Sequence, residues 1–405
     1  MTNRPVYYLW SFLLILFTVI GFLILYFRTT QGLIITNLNN IIGWGLWVSF
    51  YIFFIGLSVG CYLIFSLGYV LDFKKFKSLA PLALYSALIS LVTGFLFILI
   101  DIGHMGRFWT VFINRNTTSV LSWELHLYVV YLLIIIIQLW FLLRKDILNH
   151  LYKSRKESFF TKILLQNREL SSFNWDRDST IIKNIGYVGI PLAIAVHGGT
   201  GAIFAVIKAR SFWNTGLFPI VFLVSASVSG VALQIFLLTL FKRGKRELIK
   251  SLYNVMLILI LFDLVLFLSQ FIVGIYSDLP GQTSILQILT TGSFSKLFWL
   301  GQIGAGIFIP LLIFFLDFNK YTLAYMVGAL SSLIGVFVTR MNLVIPQLTI
   351  PVLNGLVEAY ESTRVTNVYI PSTIEWIFSF GILLFSTLIF LYGLYLLPIF
   401  SDASQ

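Results

Sequence analysis

Residues 101–128 read DIGHMGRFWTVFINRNTTSVLSWELHLY, and a long apolar run lies on each side of them. This stretch holds two carboxylates, two of the four histidines and two arginines within 28 positions. The other apolar runs carry only isolated ionisable groups. Because its ionisable groups are concentrated in so few positions, this stretch is the first candidate for a reactive site.

The composition predicts an all-α, polytopic transmembrane helical bundle. Of the 405 residues, 59% are hydrophobic and 11% are charged, whereas soluble domains carry about 25% charged residues. About 20 apolar residues suffice for a helix to cross a bilayer. About ten spans are therefore predicted, forming a single integral membrane domain over residues 1–405. They are Tyr7–Phe27, Trp44–Leu71, Leu79–Ile100, Val120–Leu143, Ile185–Lys208, Leu217–Phe241, Ile249–Tyr276, Ser295–Leu316, Thr322–Leu343 and Ser372–Leu397.

A weak internal repeat accompanies these spans. The second span contains Ser58-Val59-Gly60, and the sixth contains the similar run Ser-Val-Ser-Gly at 227–230. Two similar four-helix bundles plus flanking helices would produce such a repeat. Small residues packed between helices would produce it as well, and this second explanation is the more ordinary one.

The distribution of basic residues predicts the orientation. Nineteen of the 27 Lys and Arg residues lie on the side that carries the N-terminus. Since cytoplasmic loops are enriched in Lys and Arg, we expect a multi-pass protein of the cytoplasmic (inner) membrane with both termini in the cytoplasm. Residues 144–184 then form a cytoplasmic loop, and residues 101–119 and 344–371 form outer loops. The net charge of +11 is explained by the Lys and Arg residues of cytoplasmic loops, so membrane lipid rather than nucleic acid is the expected partner of this charge.

Cysteine and histidine usage limits the cofactors that this protein can hold. Cys61 is the one cysteine, so neither a disulfide framework nor an iron–sulfur cluster is expected within the chain. Of His104, His126, His150 and His197, only His126 and His197 fall within predicted spans, at different depths, so a bis-histidine haem is not expected. No metal site is expected, since the chain has no H-E-x-x-H sequence and no paired-carboxylate metal motif.

Asp101, His104 and Arg107 are spaced i, i+3, i+6. If the third span continued past Ile100, a helix would place them on about one face. The nearby glycines argue instead that the helix ends here and that something approaches the backbone closely. An interfacial turn held by an Asp–Arg ion pair and a ligand site fit this pattern equally well.

The entry into the fourth span carries a second polar group. Glu124 and Tyr128 are spaced i, i+4 and share a helix face, and Trp123 lies beside them. A carboxylate and a tyrosine in an apolar helix are costly unless they are paired or hydrated. A quinone requires such groups, namely hydrogen-bond donors, a proton acceptor and an aromatic wall. An ion pair from Glu124 to Arg107 or Arg115 that only fixes the loop is the alternative.

These groups together predict a quinone site at the outer rim. His104 and Tyr128 would donate hydrogen bonds to the head group, and Trp123 would form the wall. Oxidation of a quinol releases two protons, so Asp101, Glu124 or neutral His104 would act as the base. The predicted quinone-binding residues are Asp101, His104, Arg107, Trp123, Glu124 and Tyr128.

Three ionisable groups lie deeper in the spans. His197 precedes a glycine-rich run, Asp263 lies in the middle of the seventh span, and Arg340 lies in the ninth. Since an intramembrane ionisable residue is a candidate for function, a proton path through these residues is one hypothesis. Hydrogen-bonded packing is the other.

The outer stretch and the fifth span resemble a known family. Asp101-Ile102-Gly103-His104-Met105-Gly106-Arg107 is similar to the D-L-G-x-P-x-R segment of the NrfD-like family of polysulfide reductase membrane subunits. Asn116-Thr117-Thr118-Ser119-Val120 and Trp123 resemble the N-x-x-S-x-x-x-W stretch that follows. The run from His197 to Phe204, continuing through Lys208-Ala209-Arg210 to Ser229-Gly230, resembles the middle of the family. The ten-span layout is similar to the longer branch, which includes hydrogenase 2-type and dissimilatory sulfur-complex subunits.

The resemblance implies a quinone-reactive subunit of a respiratory complex without a redox centre of its own. Family members bind menaquinol or ubiquinol near the outer face and exchange electrons with a [4Fe–4S] ferredoxin-like partner docked there. A further catalytic subunit follows, which is a molybdopterin enzyme, a nickel–iron hydrogenase or a cytochrome c. Met105 stands where the family has proline, which leaves the backbone path of this loop open.

Two functions from other classes fit parts of the sequence. A secondary transporter would use His197 and Asp263 as a midplane substrate site. A purely structural membrane anchor for outer subunits would bind no quinone. The richest polar cluster lies at the outer rim rather than at mid-depth, and this position favours the quinone-reactive subunit.

Overall fold

The computed structural model describes residues 4–153, 175–277, 279–316, 322–353, 355–359, 362 and 364–400, which are helical apart from their connections. No strand occurs in these described ranges. The long helices are α1 (Arg4–Gln31), α2 (Leu46–Phe65), α3 (Ala80–Asp101), α4 (Val120–Lys153), α5 (Trp175–Ala205), α6 (Phe218–Leu240), α7 (Arg246–Tyr276), α8 (Pro280–Thr290), α9 (Leu297–Phe315), α10 (Thr322–Thr349) and α11 (Thr373–Leu396).

Three of these helices depart from regular α geometry at one end. A π-helix at Ser66–Val70 continues α2, and a 3₁₀ turn at Lys74–Leu79 precedes α3. The first part of α9, Leu297–Phe308, is a π-helix, and Ile309–Phe315 is α-helical. A long π segment is rare and is often found near functional groups.

Nine helices of the described part of the protein are long and apolar enough to cross a membrane. They are α2 to α7, α9, α10 and α11, and they coincide with nine of the ten predicted spans. The remaining predicted span, Tyr7–Phe27, lies inside α1, in which the side chains of residues 1–11 are outside the described set. The predicted all-α polytopic bundle is therefore confirmed.

The membrane-length helices pack as two four-helix groups. Helices α2, α3, α4 and α5 form the first bundle, and α6, α7, α9 and α10 form the second. The two bundles meet where α2 packs along α6. Helices α1 and α11 pack against each other, and α11 also contacts α3 at the edge of the first bundle. The side of the protein that carries residues 101–119 is named the outer face here, after its expected orientation.

Glycines bring the two bundles into close contact. A Cβ added to Gly60 on α2 would lie 2.0 Å from Ala226 O on α6, and one added to Gly230 would lie 2.2 Å from the Gly60 carbonyl carbon. The repeated small residues at 58–60 and 227–230 therefore lie at the helix crossing. Their similarity is explained by small-residue packing, which lets backbones approach within a membrane.

Several helices run further than the sequence predicts. Helix α10 extends to Thr349, so the predicted outer loop 344–371 begins as helix. Helices α4 and α5 likewise extend into the predicted cytoplasmic loop 144–184, of which residues 154–174 lie outside the described part. The partly buried ion pair between Arg144 Nη2 and Asp178 Oδ2, 2.6 Å apart, links these two extensions. Polar residues mark where a span leaves the membrane, but a helix does not have to end there.

A hydrogen-bonded group ties the outer loop to the first bundle. Ser372 and Glu375 form a capping box at the start of α11. The Tyr369 hydroxyl donates to Glu375 Oε1 at 2.5 Å and accepts from the Leu46 backbone N–H at 2.9 Å. Burial, together with the Glu375 carboxylate, raises the pKa of Tyr369 far above its ordinary value. The phenol therefore keeps its proton and remains a donor at physiological pH.

We predict that Gly60→Ala lowers the thermal stability of the purified protein in detergent, because the added methyl group would overlap the α6 backbone. Overpacking of this kind costs about 1–3 kcal/mol. A matched control is Gly199→Ala on α5, where nothing lies within 4 Å of the added Cβ. The control should leave the Tm unchanged or raise it, since alanine favours helix more than glycine. Equal Tm values for both variants would contradict the packing argument.

Candidate functional site

Asp101 is the last residue of α3, and its position is fixed by the end of that helix. The backbone adopts an extended conformation at Ile102, with φ −62° and ψ 128°. The Arg28 side chain from α1 donates to Ile100 O at 2.7 Å and to Ile102 O at 2.9 Å. These two carbonyls belong to a helix C-terminus, which lacks intrahelical donors. Arg28 therefore caps α3 and clamps the backbone on both sides of Asp101.

The helix end separates the residues of the i, i+3, i+6 pattern. Because α3 stops at Asp101, His104 and Arg107 do not continue its face, and both side chains are exposed. No ion pair joins Asp101 to Arg107, both of which lie in the described part of the protein. An interfacial turn held by that ion pair is therefore not what the structure contains.

Glu124 lies in the second turn of α4, which Ser119 caps by accepting from the Ser122 backbone N–H at 3.5 Å. The Tyr128 hydroxyl, one turn further along, donates to Glu124 Oε1 at 2.5 Å. The Thr200 hydroxyl from α5 donates to the same oxygen. Only 2% of Glu124 is exposed, so these two hydroxyl groups hold one carboxylate oxygen in the protein interior. The partners of Glu124 are thus neutral hydroxyls rather than Arg107 or Arg115.

Asp101, Glu124 and Tyr128 line one cavity of about 170 Å³, here named the Glu124 cavity. The space lies among the outer ends of α2, α3, α4 and α5. The other lining residues are mostly aromatic or aliphatic: Trp44, Val48, Tyr51, Ile98, Ile102, Leu121, Leu125, Ile203 and Phe204. The Trp44 and Phe204 rings meet edge to face with centroids 5.7 Å apart. An apolar pocket with a few polar groups is typical of a small-molecule site.

Two carboxylate oxygens at this cavity lack protein partners. Asp101 Oδ1 and Glu124 Oε2 are buried, and no donor among the described residues reaches either one. Buried polar atoms without a partner are rare, because each costs about 1–3 kcal/mol. Unpartnered oxygens at a cavity wall can accept hydrogen bonds from a bound ligand.

Trp123 lies outside the Glu124 cavity. Its side chain is 53% exposed, and its indole N–H donates to Thr117 O at 2.8 Å. The aromatic surface of the cavity is formed by Trp44, Tyr51 and Phe204 instead. Of the six predicted quinone-binding residues, the structure brings together Asp101, Glu124 and Tyr128; it leaves His104, Arg107 and Trp123 at the exposed outer surface.

Several residues of the site were not predicted from sequence. Arg28 lies 72 residues from Ile100, and Thr200 lies 76 residues from Glu124. Tyr51 lies in the second turn of α2, whereas Trp44 precedes that helix, which begins at Leu46. Helical spacing therefore gives no signal for this aromatic wall. Arg28 lies on α1 and Thr200 lies on α5. Nothing in the local sequence around either residue marks it as part of this site.

His197 lies in the protein interior between the bundles. Both ring nitrogens are buried and have no hydrogen-bond partner among the described residues. A Cβ added to Gly56 on α2 would lie 2.7 Å from His197 Nε2. The His197 ring also packs against Phe222 of α6, with ring centroids 5.3 Å apart. His197 therefore belongs to the interface between the first and the second bundle.

Asp263 and Arg340 line a cavity of about 80 Å³ within the second bundle, here named the Asp263 cavity. The Arg340 guanidinium lies over the Phe222 ring, 4.2 Å from its centroid, and donates to Ser225 Oγ. Further polar residues at the cavity are Gln270, Gln302, Thr339 and Asn342. His197 is not among its lining residues, so the structure does not bring His197 and Asp263 into a single site.

The Glu124 cavity has the chemistry to hold a flat aromatic ligand and to accept protons from it. Two unpartnered carboxylate oxygens can accept hydrogen bonds, the Tyr128 phenol is tied to one carboxylate, and aromatic rings line the walls. Within the described residues, no group of three or more His, Cys, Asp or Glu side chains is arranged to hold a metal ion.

Comparison with known proteins gives consistent matches. Residues 35–353 match the family described as polysulphide reductase, NrfD. A subunit of the selenate reductase of Mesobacillus selenatarsenatis is 36% identical over 402 residues, which cover 96% of this protein and 93% of that one. The Hdr-like menaquinol oxidoreductase integral membrane subunit of Archaeoglobus fulgidus is 28% identical over 401 residues, covering 95% and 91%. A component of the polysulfide reductase of Wolinella succinogenes is 26% identical over 283 residues, covering 68% and 83%.

Proposed function

The chain belongs to the polysulphide reductase NrfD family, and on that basis we propose that it is the quinone-reactive membrane subunit of a respiratory oxidoreductase complex. The observation that carries the proposal is the Glu124 cavity, with its two buried and unpartnered carboxylate oxygens. The relative named as a menaquinol oxidoreductase subunit favours menaquinol over ubiquinol as the substrate.

The dimensions and side chains of the Glu124 cavity fit a quinol head group. A volume of about 170 Å³ offers room for roughly a dozen water-sized groups, about the size of a substituted quinone ring. Trp44 and Phe204 would lie beside the ring, where aromatic stacking adds to the burial of apolar area. The cavity thus supplies both a flat apolar slot and polar atoms at its edge.

Oxidation of a quinol releases two electrons and two protons, and the protein must accept the protons. Glu124 Oε2 and Asp101 Oδ1 are the free acceptors at the cavity. Tyr128 and Thr200 hold Glu124 Oε1, so the other oxygen keeps a fixed direction. A positioned base of this kind contributes about 10²–10⁴-fold to a proton-transfer step. The electrons would leave to a cluster of a partner protein, since this chain has one cysteine.

We place that partner, a [4Fe–4S] ferredoxin-like subunit, on the outer face. Exposed apolar side chains occur there, in the segments that follow α3 and α10. They are Phe108, Trp109 and Ile113 after α3 and Val352 and Leu353 after α10. The relatives named as parts of selenate reductase and polysulfide reductase favour a reductase as the further catalytic subunit. Of the expected types, a molybdopterin enzyme is therefore proposed ahead of a hydrogenase or a cytochrome c. Electrons would then flow from menaquinol outward to the partner.

A proton path in the second bundle is a secondary proposal. Asp263, Arg340 and Gln302 line a polar cavity in a membrane-length bundle, and Gln302 belongs to the π-helical part of α9. Intramembrane ionisable groups are costly and are retained mainly for function. His197 would contribute only through a rearrangement of Phe222, since that ring packs against both His197 and Arg340.

The two alternative functions are less well supported. A secondary transporter would require His197 and Asp263 at one midplane site, but Asp263 lines a cavity that does not include His197. A purely structural anchor would not account for the buried carboxylate oxygens of Asp101 and Glu124, which have no hydrogen-bond partner among the described residues. The quinone-reactive function accounts for these oxygens and for the aromatic walls around them.

We predict that Glu124→Gln lowers quinol oxidation by the assembled complex by about 10²-fold or more, because an amide cannot accept the proton. Tyr128→Phe should lower it by about tenfold, since one buried hydrogen bond is lost. Tyr131→Phe is the matched control, because Tyr131 is equally buried one turn deeper and bonds to Ser58 O at 3.3 Å. Turnover is measured with a short-chain menaquinol analogue, and the soluble partner is assayed with an artificial donor to verify assembly. Wild-type turnover in Glu124→Gln would refute the site.

The orientation is tested by cysteine labelling. Cys61, which is fully buried, is first replaced by alanine. A single cysteine is then introduced at one of two exposed positions, Arg115 or Lys75. We expect a membrane-impermeant maleimide to label Arg115→Cys in intact cells and Lys75→Cys only after lysis, because basic loops remain cytoplasmic. The reverse pattern would invert the topology and remove the outer partner.

For the proton path, we predict that Asp263→Asn leaves quinol oxidation at the wild-type rate and abolishes coupled proton movement in vesicles. An asparagine cannot take up and release a proton. Ser269→Ala is the control, since Ser269 lies on the same helix, is exposed and bonds only to Val265 O. Unchanged proton movement in Asp263→Asn would reduce Asp263 to a packing residue.

A further inference from the structure

Arg28 is a buried arginine on a helix outside both bundles. Helix α1 lies outside residues 35–353, the part of the sequence that matches the NrfD family. Only 1% of Arg28 is exposed. A guanidinium is always charged, and a buried charge is costly unless hydrogen bonds or opposite charges compensate for it. The groups that bind the Arg28 guanidinium therefore indicate which part of the structure this residue stabilises.

The guanidinium straddles the backbone at Asp101. Arg28 Nε donates to Ile100 O and Nη2 donates to Ile102 O, at 2.7 and 2.9 Å. The guanidinium carbon lies 6.0 Å from the centroid of the Trp47 ring, within cation–π range. The two accepting carbonyls belong to the residues on either side of Asp101, so Arg28 sets where the Asp101 side chain enters the Glu124 cavity.

Arg28 is also the one positive charge among the groups around Asp101 in the described structure. The titratable groups that face this region are Tyr51 on α2, Glu124 on α4, Tyr369 in the outer loop and Glu375 on α11. All of these are neutral or negative. A positive charge nearby favours the ionised form of a carboxylate, and negative charges oppose it.

We propose that Arg28 is a positioning residue of the quinone site, which fixes the backbone on both sides of Asp101 and favours the ionised form of this carboxylate, the form that accepts a proton from the quinol. This inference rests on the proposed function. It extends the site beyond the family-matched region to α1. Without the guanidinium, Asp101 would hold a proton up to a higher pH and would fail as an acceptor over that range.

The protein offers a matched control in Arg210. This arginine is also buried and also caps a helix at the outer face, since Nη1 donates to Gln347 O at 2.8 Å and to Ile350 O at 2.5 Å at the end of α10. Arg28 is among the charges that act on Asp101, and Arg210 is not. Loss of a helix cap is therefore common to Arg28→Gln and Arg210→Gln, whereas loss of a charge beside Asp101 is specific to Arg28→Gln.

The test is the pH profile of menaquinol-analogue oxidation by the whole complex in membranes. In Arg28→Gln, we expect the acid limb of the profile to move to higher pH by about one unit or more, as for a carboxylate that loses an adjacent cation. In Arg28→Lys, the limb should stay near that of the wild type while the rate falls at every pH. A lysine keeps the charge but lacks the fork that reaches both carbonyls. In Arg210→Gln, thermal stability should fall without movement of the limb.

An Arg28→Gln profile that coincides with the wild-type profile would overturn the inference, as would an equal shift in Arg210→Gln. If Arg28→Gln does not assemble, Arg28→Lys decides alone, because a shifted limb despite the retained charge contradicts the proposal. Asp101→Asn and Glu124→Gln are measured in the same series. Wild-type turnover in both would show that the proposed quinone site is wrong, whereas reduced turnover in both with no shift in Arg28→Gln would reject only the role of Arg28.

Discussion

The carboxylate of Glu124, placed in an apolar helix, imposes the constraint on which the candidate site depends. In a hydrocarbon environment a polar group must find a partner within the protein. Glu124 finds one on its own helix, Tyr128, and one on α5, Thr200. These bonds join α4 to α5 at the outer rim and fix the direction of the carboxylate. They use only Oε1, so Oε2 is left at the cavity as an acceptor of defined position.

Helix C-termini impose a second constraint, because their last carbonyls lack donors from within the helix. At the outer face, the ends of α3 and α10 receive these donors from the buried residues Arg28 and Arg210. Burial lowers the pKa of Arg210, which lies in the connection after α5, but arginine side chains are effectively always protonated in proteins. Both residues therefore combine a structural cap with a permanent positive charge at the outer face. Of these two charges, only that of Arg28 lies next to the Glu124 cavity.

The sequence predicts the membrane architecture well, since the thickness of the bilayer demands long apolar runs whatever the tertiary contacts. It also predicts Asp101, Glu124 and Tyr128 as neighbours, because polar groups in apolar runs stand out and the i, i+4 spacing is local. The positions of His104 and Arg107 depend on where α3 ends, which composition does not determine. Trp123 lies on α4 next to Glu124, and successive helix residues point in different directions, so Trp123 is exposed while Glu124 is buried. Arg28 and Thr200 reach the site through contacts across more than 70 residues, and such contacts follow from packing alone.

The glycine crossing of α2 and α6 has a consequence for coupling between the bundles. It brings His197 of the first bundle and Arg340 of the second into contact with one ring, that of Phe222. A phenyl ring carries no proton, and neither ring nitrogen of His197 has a hydrogen-bond partner among the described residues. A hydrogen-bonded route between the Glu124 cavity and the Asp263 cavity would therefore require the Phe222 side chain to move and water to enter. Proton chemistry at the outer rim and in the second bundle can thus operate separately, with Phe222 as the contact through which one could influence the other.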